Sequence, residues 1–331
     1  TSFGEILRVG MPYFWLFCGS TALDWHTEEV LNSAKKLVTT FVSRARSRKV
    51  QTPEILASRI PPYRINYNYD GPRRSYAANF LRPAIKHHMA EILRTMSAEG
   101  KANQPITFFD VGCGFGPMAA AFMVWAESMD QYVSAQCRYL GLDIRNDSID
   151  WLRSTYSDDS RFDFLLHHAD ATDDYVHAQI TKTSTKASDL QGESAGAYAL
   201  PAQFNHDVQW SSSLFTHVTP ETALDILKSA SVSARPGSVQ FNTWLLVDEE
   251  SKYAMTARTA DRQLDIDMGP YRTYSQQNPL MCTAYKFDYV LDLYKAVGLE
   301  LVRVDRGSWR GLNQGNSFGH NQDVIVSRKP I

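Results

Sequence analysis

Phe108-Phe109-Asp110-Val111-Gly112-Cys113-Gly114-Phe115-Gly116-Pro117-Met118 is the stretch from which the fold of this chain is read. An apolar run, Ile106 to Phe109, ends in the carboxylate of Asp110, and three glycines follow at alternate positions. From Met118 the residues are apolar and helix-compatible. A buried strand, a tight turn and a helix N-terminus therefore share one window. Glycine is required where the backbone bends sharply or must come close to a ligand. The first N–H groups of the helix point into that space without intrahelical partners. The stretch reads as a loop for a nucleotide-type cofactor in an α/β protein.

Outward from the loop, strands and helices alternate. Met118–Met129 is predicted as a helix, Arg138–Asp143 as a second strand that again ends in an acid, and Ser148–Tyr156 as a second helix. Phe162–His168 is a third strand followed by Ala169-Asp170-Ala171, and Asp207–Ser211 is a fourth. Pro220–Ser231 is a helix with Thr219 as its cap, and Arg235–Ser238 is a turn into a fifth strand, Val239–Val247. Lys182–Gly196, rich in Ser, Thr, Lys and Gly, reads as an exposed or mobile loop. Residues 248–281 exceed an ordinary connection and are expected to form a lid or substrate-binding insertion. Phe287–Val297 is a helix closed by Gly298. Two strands, Leu299–Asp305 and Gln322–Arg328, end the chain with no helix between them, which allows an antiparallel end. The loop joining them is glycine-rich and flexible-looking, and it carries Trp309 and His320. The expected fold is a Rossmann-like, mainly parallel seven-stranded sheet with an antiparallel last strand, over residues 106–331.

The glycine spacing is G-x-G-x-G, with proline at 117, rather than the G-x-G-x-x-G of dinucleotide proteins. After a strand-terminal acid this resembles the first motif of class I S-adenosylmethionine-dependent methyltransferases. The order of the later strand-end acids and the closing strand pair resembles that family over roughly 106–329. The resemblance implies S-adenosylmethionine as cofactor and S-adenosylhomocysteine as product. It implies that Gly112, Gly114 and Gly116 shape the loop around the methionine and ribose, and that Asp110 stands near the amino end of the cofactor. Asp143, followed by Ile144, would take the ribose hydroxyls, a task suited to a carboxylate that accepts two hydrogen bonds. Asp170 and Ala171 would read the adenine, with Asp173 and Asp174 as rivals. Gln209, on the fourth strand, completes the expected cofactor set.

Methyl transfer to a hydroxyl gains from a general base, most often histidine. Ser211-Ser212-Ser213-Leu214-Phe215-Thr216-His217-Val218 follows the fourth strand. It resembles a Ser-Phe-Thr-His segment of bacterial small-molecule and glycan methyltransferases. His217 is the leading candidate base, against the alternative of a histidine that fixes its own loop. His320 is the second candidate, and one of His167 and His168 is expected to be structural. Asp248-Glu249-Glu250 reads as a solvated acidic turn more readily than as a cation site, so no metal is expected. Gln209-Trp210-Ser211-Ser212 stands where amino-methylating DNA enzymes carry N/D-P-P-Y/F.

With 331 residues, 44% hydrophobic, the chain has ample material for a core. Its formal net charge of −2 creates no field favouring nucleic acid. The four cysteines, Cys18, Cys113, Cys137 and Cys282, form no C-x-x-C pair, which argues against zinc and fits a reducing cytoplasm. No apolar run has the length of a membrane span. Residues 1–105 form an expected N-terminal extension. A helix starting from Asp24 or Thr27 ends near Ser43, a flap interleaves Tyr63, Tyr67, Tyr69 and Tyr76 with Arg64, Arg73 and Arg74, and a helix covers Leu81–Ser97. Aromatic faces with hydrogen-bonding neighbours suit a sugar or another polar ring. The leading expectation is thus O-methylation of a sugar hydroxyl in a glycan or glycosylated metabolite. Methylation of another small hydroxyl or amine is the second. A non-catalytic module that keeps this fold within a larger multidomain glycan-assembly protein is the third, and the start at Thr1 leaves room for a larger protein.

Overall fold

The structure is a computed structural model. It describes residues 58–61, 81, 83–101, 103–167, 204–311 and 318–331. The expectations for residues 1–57, for the tyrosine–arginine flap, for His168, for Asp170 and Ala171 and for Lys182–Gly196 lie outside the described residues.

A π-helical stretch, Ala84–Met89, runs into α1 (Ala90–Ala98). Then come β1 (Thr107–Val111), α2 (Pro117–Glu127), α3 (Gln131–Gln136), β2 (Arg138–Asp143), α4 (Asn146–Thr155) and β3 (Phe162–Leu166). Beyond residue 204 follow β4 (His206–Ser211), α5 (Pro220–Ser233), β5 (Ala234–Trp244), β6 (Leu246–Val247) and α6 (Glu249–Thr256). The remaining elements are β7 (Ile266–Asp267), β8 (Tyr271–Thr273), β9 (Thr283–Lys286), α7 (Phe287–Ala296), β10 (Glu300–Asp305) and β11 (Asp323–Arg328).

Seven strands form one sheet in the order β10-β11-β5-β4-β1-β2-β3. β3, β2, β1, β4 and β5 pair in parallel, while β11 runs antiparallel to both β5 and β10. This is the mainly parallel sheet with an antiparallel end that the strand pattern predicts. The strand order reverses between β1 and β4, the point where an open α/β sheet leaves a crevice beyond its carboxyl ends.

Alternation along the strands sends side chains to two cores. Phe108, Tyr139, Phe164, Trp210 and Phe241 pack with α2 and with the helix before β1. Phe109, Val111, Leu140 and Trp244 pack on the opposite face with Ile226, Leu227, Val290 and Leu293 of α5 and α7. Burial on both faces explains why these strands read as continuous apolar runs. Each large apolar side chain so buried contributes ~1.5–3 kcal/mol. Thr219 caps α5 by accepting from the Thr222 N–H at 3.2 Å, as expected, and Gly298, at φ 70°, follows the end of α7.

Two elements differ from the sequence reading. The turn expected at 235–238 is already part of β5; Gly237 at φ 74° and a register shift between His206 and Val208 absorb the bend inside the ladder. The stretch 248–281 contributes α6 and the β7–β8 hairpin, which join β6 and β9 in a second sheet ordered β6-β9-β8-β7. Leu245, Ala254, Met255, Leu264, Ala284 and Trp309 give that sheet its own small core.

Candidate active site

The turn after β1 is shaped by three left-handed glycines: Gly112 at φ 76°, Gly114 at 53° and Gly116 at 74°. An L side chain at such a φ is strained. The Gly112 and Cys113 N–H groups donate to Leu142 O at 2.7 and 3.0 Å, pinning the turn to β2. The Asp143 carboxylate closes the arrangement, accepting from Gly114 N at 2.8 Å and from Arg145 N at 3.0 Å. Each carboxylate oxygen retains a second lone pair for a ligand hydroxyl. Burial raises the Asp143 pKa, and the Gly114 N–H bond works against that rise. A Cβ built on Gly114 would meet nothing within 4 Å, so the space above it is open. Gly116 precedes α2, and Pro117 occupies the first helical turn, where its missing N–H costs nothing.

Asp110 is buried and its Oδ2 accepts from the Tyr139 hydroxyl. Burial pushes its pKa up to about 7, with the Tyr139 bond opposing and the neighbouring Asp143 adding to the rise. Ile144 is half-buried beside Asp143. Gln209 falls elsewhere. It pairs with Phe109, so its side chain leaves the sheet on the face opposite Asp110 and Trp210. There its amide donates to Asn242 Oδ1 at 2.9 Å, which also accepts from Ser211 Oγ at 2.7 Å. Asn242 in turn donates to the Tyr294 hydroxyl at 2.9 Å. Gln209 belongs to this buried polar row. The structure thus gathers Gly112, Gly114, Gly116, Asp143 and Ile144 at one strand end with Asp110 just beneath.

The segment after β4 lies against this turn, since a Cβ on Gly112 would sit 3.6 Å from Leu214 Cδ1. Ser213 adopts φ 58°, uncommon for a non-glycine residue. Hydrogen bonds hold it there. Its N–H donates to Thr243 Oγ1 at 2.7 Å, and its Oγ accepts from Gln322 Nε2 at 3.1 Å. Thr243 Oγ1 donates back to Gln322 Oε1 at 2.7 Å. The strained turn aims Ser212 at His320, with Oγ and Nε2 2.9 Å apart.

The two candidate histidines sit in opposite tautomers. His217 Nδ1 lies 3.0 Å from Leu280 O, which can only accept, so Nδ1 carries the proton and Nε2 the lone pair. His320 Nδ1 accepts from Gln322 N at 3.1 Å, so the neutral ring carries its proton on Nε2 and donates it to Ser212. Burial lowers the pKa of both, that of His320 to about 4. In this arrangement His217 has the form of a base and His320 that of a donor. The second sheet anchors the His217 segment further: Thr283 N donates to Thr216 O at 2.8 Å and Tyr285 OH to Val218 O at 2.6 Å.

Of the acids expected to form a solvated turn, Glu249 and Glu250 are exposed, while Asp248 is half-buried. Asp248 caps α6 through Ser251 and meets Arg306 at 2.9 Å, while Glu250 meets Arg310 at 2.8 Å. Glu249 meets Lys252 at 2.7 Å, so each of the three acids faces a basic side chain. No group of three or more His, Cys, Asp or Glu able to hold a metal occurs among the described residues. Among the described residues, no helix is long and apolar enough to cross a membrane. One neighbour of His320 escapes sequence reasoning. The ring of His88 lies 4.8 Å from that of Trp210 and 5.5 Å from that of His320. The available signal was a pair of histidines, His87 and His88, inside an otherwise amphipathic helix.

No protein-family model matches the chain. Among solved structures it is similar to magnesium protoporphyrin IX methyltransferase from Synechocystis PCC 6803, at 10% identity over 79% of this chain and 90% of that one, with a TM-score of 0.44. It is similar to the 1,6-didemethyltoxoflavin-N1-methyltransferase of Burkholderia thailandensis at 16% identity, over 95% and 94% of the two chains, with a TM-score of 0.42. A third likeness is to mitomycin 7-O-methyltransferase, at 13% identity over 93% and 69%, with a TM-score of 0.41. Likeness this distant leaves the chemistry to be argued from the residues themselves.

Proposed function

We propose that this chain is an S-adenosylmethionine-dependent methyltransferase acting on a sugar hydroxyl of a glycan or glycosylated metabolite, in a reducing cytoplasm. The observation that carries the donor half is the clasp between Gly114 N–H and Asp143, set at the strand-order reversal beneath open space. A cofactor with vicinal ribose hydroxyls fits the free lone pairs of Asp143. The rest of the cofactor fits the open space above Gly114. Asp170 and Ala171 are the proposed adenine contacts. When bound, S-adenosylmethionine supplies an electrophilic methyl carbon and leaves as S-adenosylhomocysteine.

On the acceptor side, His217 Nε2 holds the lone pair that takes the hydroxyl proton, while Leu280 O fixes its ring. Positioning and exclusion of water do the remaining work. The insertion at 248–281 is proposed as the acceptor lid, because Leu280 within it holds His217 Nδ1 at 3.0 Å. No metal is needed for this chemistry.

Calorimetry with S-adenosylhomocysteine tests the donor half, and absence of binding ends the reading. Incubation with labelled cofactor and a panel of saccharides, followed by mass spectrometry, tests the acceptor half. A methyl mass gain on a saccharide is expected; gain only on other hydroxyls or on amines moves the assignment to those classes. His217→Ala is expected to lose ~100-fold or more in kcat while keeping its affinity for S-adenosylhomocysteine. Unchanged turnover removes His217 from the role.

A further inference from the structure

The insertion at 248–281 carries a charged group that the proposed chemistry leaves unused. Among the described residues every other arginine has an ion-pair or hydrogen-bond partner, while Arg262 has neither. Its sequence neighbours show the contrast. Arg258 meets Asp265 at 2.7 Å, and Arg272 lies 3.6 Å from Asp267. Arg262 is exposed between two anchors, because Ala260 and Leu264 are buried in the core of the small sheet. Asp261 N donates to Trp309 O at 2.7 Å, Gln263 Nε2 to Ala260 O at 2.8 Å, and Arg272 Nε to Leu264 O at 2.7 Å. The turn is therefore held on both sides of an unpaired guanidinium.

The same small core ties that turn to the proposed base. Ala260 and Leu264 pack with Cys282, two residues beyond Leu280, whose carbonyl holds His217 Nδ1 at 3.0 Å. Thr283, next to Cys282, donates its N–H to Thr216 O at 2.8 Å. The charge of Arg262 is felt at both places. Burial raises the Cys282 pKa and Arg262 opposes the rise. Burial lowers the His217 pKa, the Leu280 carbonyl opposes this, and Arg262 lowers it further. Neither group is shut off from solvent, since His217 is half-buried and Arg262 exposed. A fixed positive charge so placed opposes the arrival of a proton on His217. An anion that pairs with Arg262 removes this opposition when the acceptor hydroxyl gives its proton to His217.

We propose that Arg262 is an acceptor-specificity residue: its guanidinium binds an anionic group, a carboxylate or a phosphate, on the saccharide whose hydroxyl faces His217. The inference rests on the methyltransferase reading and narrows its acceptor class to acidic saccharides. A guanidinium meets either oxyanion with paired N–H donors. A neutral saccharide leaves the charge uncompensated beside the base and is the poorer acceptor.

The first test needs no knowledge of the acceptor. Inorganic phosphate, and separately acetate, is titrated into the protein while nitrogen NMR follows Arg262 Nε and the His217 ring. At least one anion is expected to shift both resonances and to raise the His217 pKa, and the stronger of the two separates phosphate from carboxylate. The effect on His217 is expected to vanish in Arg262→Gln and to persist in Arg262→Lys, which keeps the charge. Arg262 is exposed, so both variants are expected to fold. The second test offers labelled cofactor with saccharides in neutral and acidic pairs, glucose beside glucuronate and N-acetylglucosamine beside its phosphate ester. The acidic member is expected to exceed the neutral one about tenfold or more in kcat/KM. Arg262→Gln is expected to lose about tenfold on the acidic member, mainly through KM, with S-adenosylhomocysteine affinity changed by less than about twofold. Equal rates within a methylated pair overturn the inference. So does a wild-type His217 that ignores both anions, the result expected of a solvated surface arginine, or an anion effect that survives in Arg262→Gln. If no pair is methylated, the NMR titration decides. Absence of S-adenosylhomocysteine binding ends the methyltransferase reading and the acceptor role together, whereas loss of the anion effect with that binding intact ends the inference alone.

Discussion

The glycine turn and the junction around Asp323 are both organised by one carboxylate, yet they are built in contrasting ways. At the turn, Asp143 accepts two backbone N–H groups, and the residues concerned lie within one β–α–β unit. At the junction, Asp323 is fully buried and accepts from Gly307 N at 2.8 Å, Leu246 N at 2.9 Å, Trp309 Nε1 at 2.8 Å and Arg310 at 3.2 Å. Arg310, also buried, reaches on to Asp248 and Glu250. The first carboxylate shapes a local turn and keeps lone pairs for a ligand. The second spends its lone pairs joining the large sheet, the small sheet and the loop before β11. The proposed donor site lies at the first, while the second ties distant segments together.

The strongest test of that contrast is Asp323→Ala. It strands the buried Arg310 and several donors, and a loss of ~3–5 kcal/mol in urea unfolding is expected. A loss below ~1 kcal/mol would show that the junction is not a structural hub.

Next comes pH, through Asp110 beneath the turn. Its pKa is raised by burial to about 7, against ~4 for a free aspartate, so between those values the folded state binds the extra proton. Its contribution to stability is therefore full below pH ~4 and is lost as pH rises through 7, on the order of 4 kcal/mol in all. His206 and His320, lowered by burial to about 3 and about 4, act in the opposite sense and lose stability as pH falls. The wild-type profile mixes the two. The difference between wild type and Asp110→Asn isolates the carboxyl, and it should lean towards the wild type at low pH in ligand-free protein.

Within the turn, Gly116→Ala forces a Cβ to 2.5 Å from Leu152 Cδ2 at φ 74°, with an expected cost of about 2 kcal/mol in unfolding. Gly114→Ala meets no atom within 4 Å, so it should cost only about 1 kcal/mol of backbone strain but weaken the proposed cofactor, whose space it enters. Equal effects of the two on S-adenosylhomocysteine affinity would erase the distinction between packing and binding glycines. The smallest change is expected for Asp143→Asn, which keeps the shape of the carboxylate and one acceptor oxygen. Binding of S-adenosylhomocysteine, read by calorimetry, should weaken about tenfold, ~1.4 kcal/mol, with the melting temperature nearly unchanged.

The glycine turn was legible in the sequence because its determinants are local. The apolar run, the alternate glycines and the strand-end Asp143 each act within a few residues of themselves, and β2 falls on the predicted residues. The face taken by Gln209 follows from strand alternation: being one residue from Trp210 puts it on the opposite core, with Asn242 as a partner the sequence did not reveal. The ion pairs of Asp248 and Glu250 were not legible because their partners, Arg306 and Arg310, come from some 60 residues away. The same distance hid the small sheet, since Leu246 and Val247 acquire their meaning from pairing with Tyr285 and Lys286.

The sequence by itself determined the strand order's raw material, the glycine turn and the acid that faces it, since backbone conformation at glycine and the period of apolar residues are short-range properties. Tertiary structure alone decided the tautomers of His217 and His320, the strained φ of Ser213 and the burial of His88. Each of these depends on a partner brought in by chain closure: Leu280 O, Gln322, Thr243 and Trp210. A proton's position on an imidazole is fixed by the atom opposite it, and that atom is chosen only when the sheet is assembled.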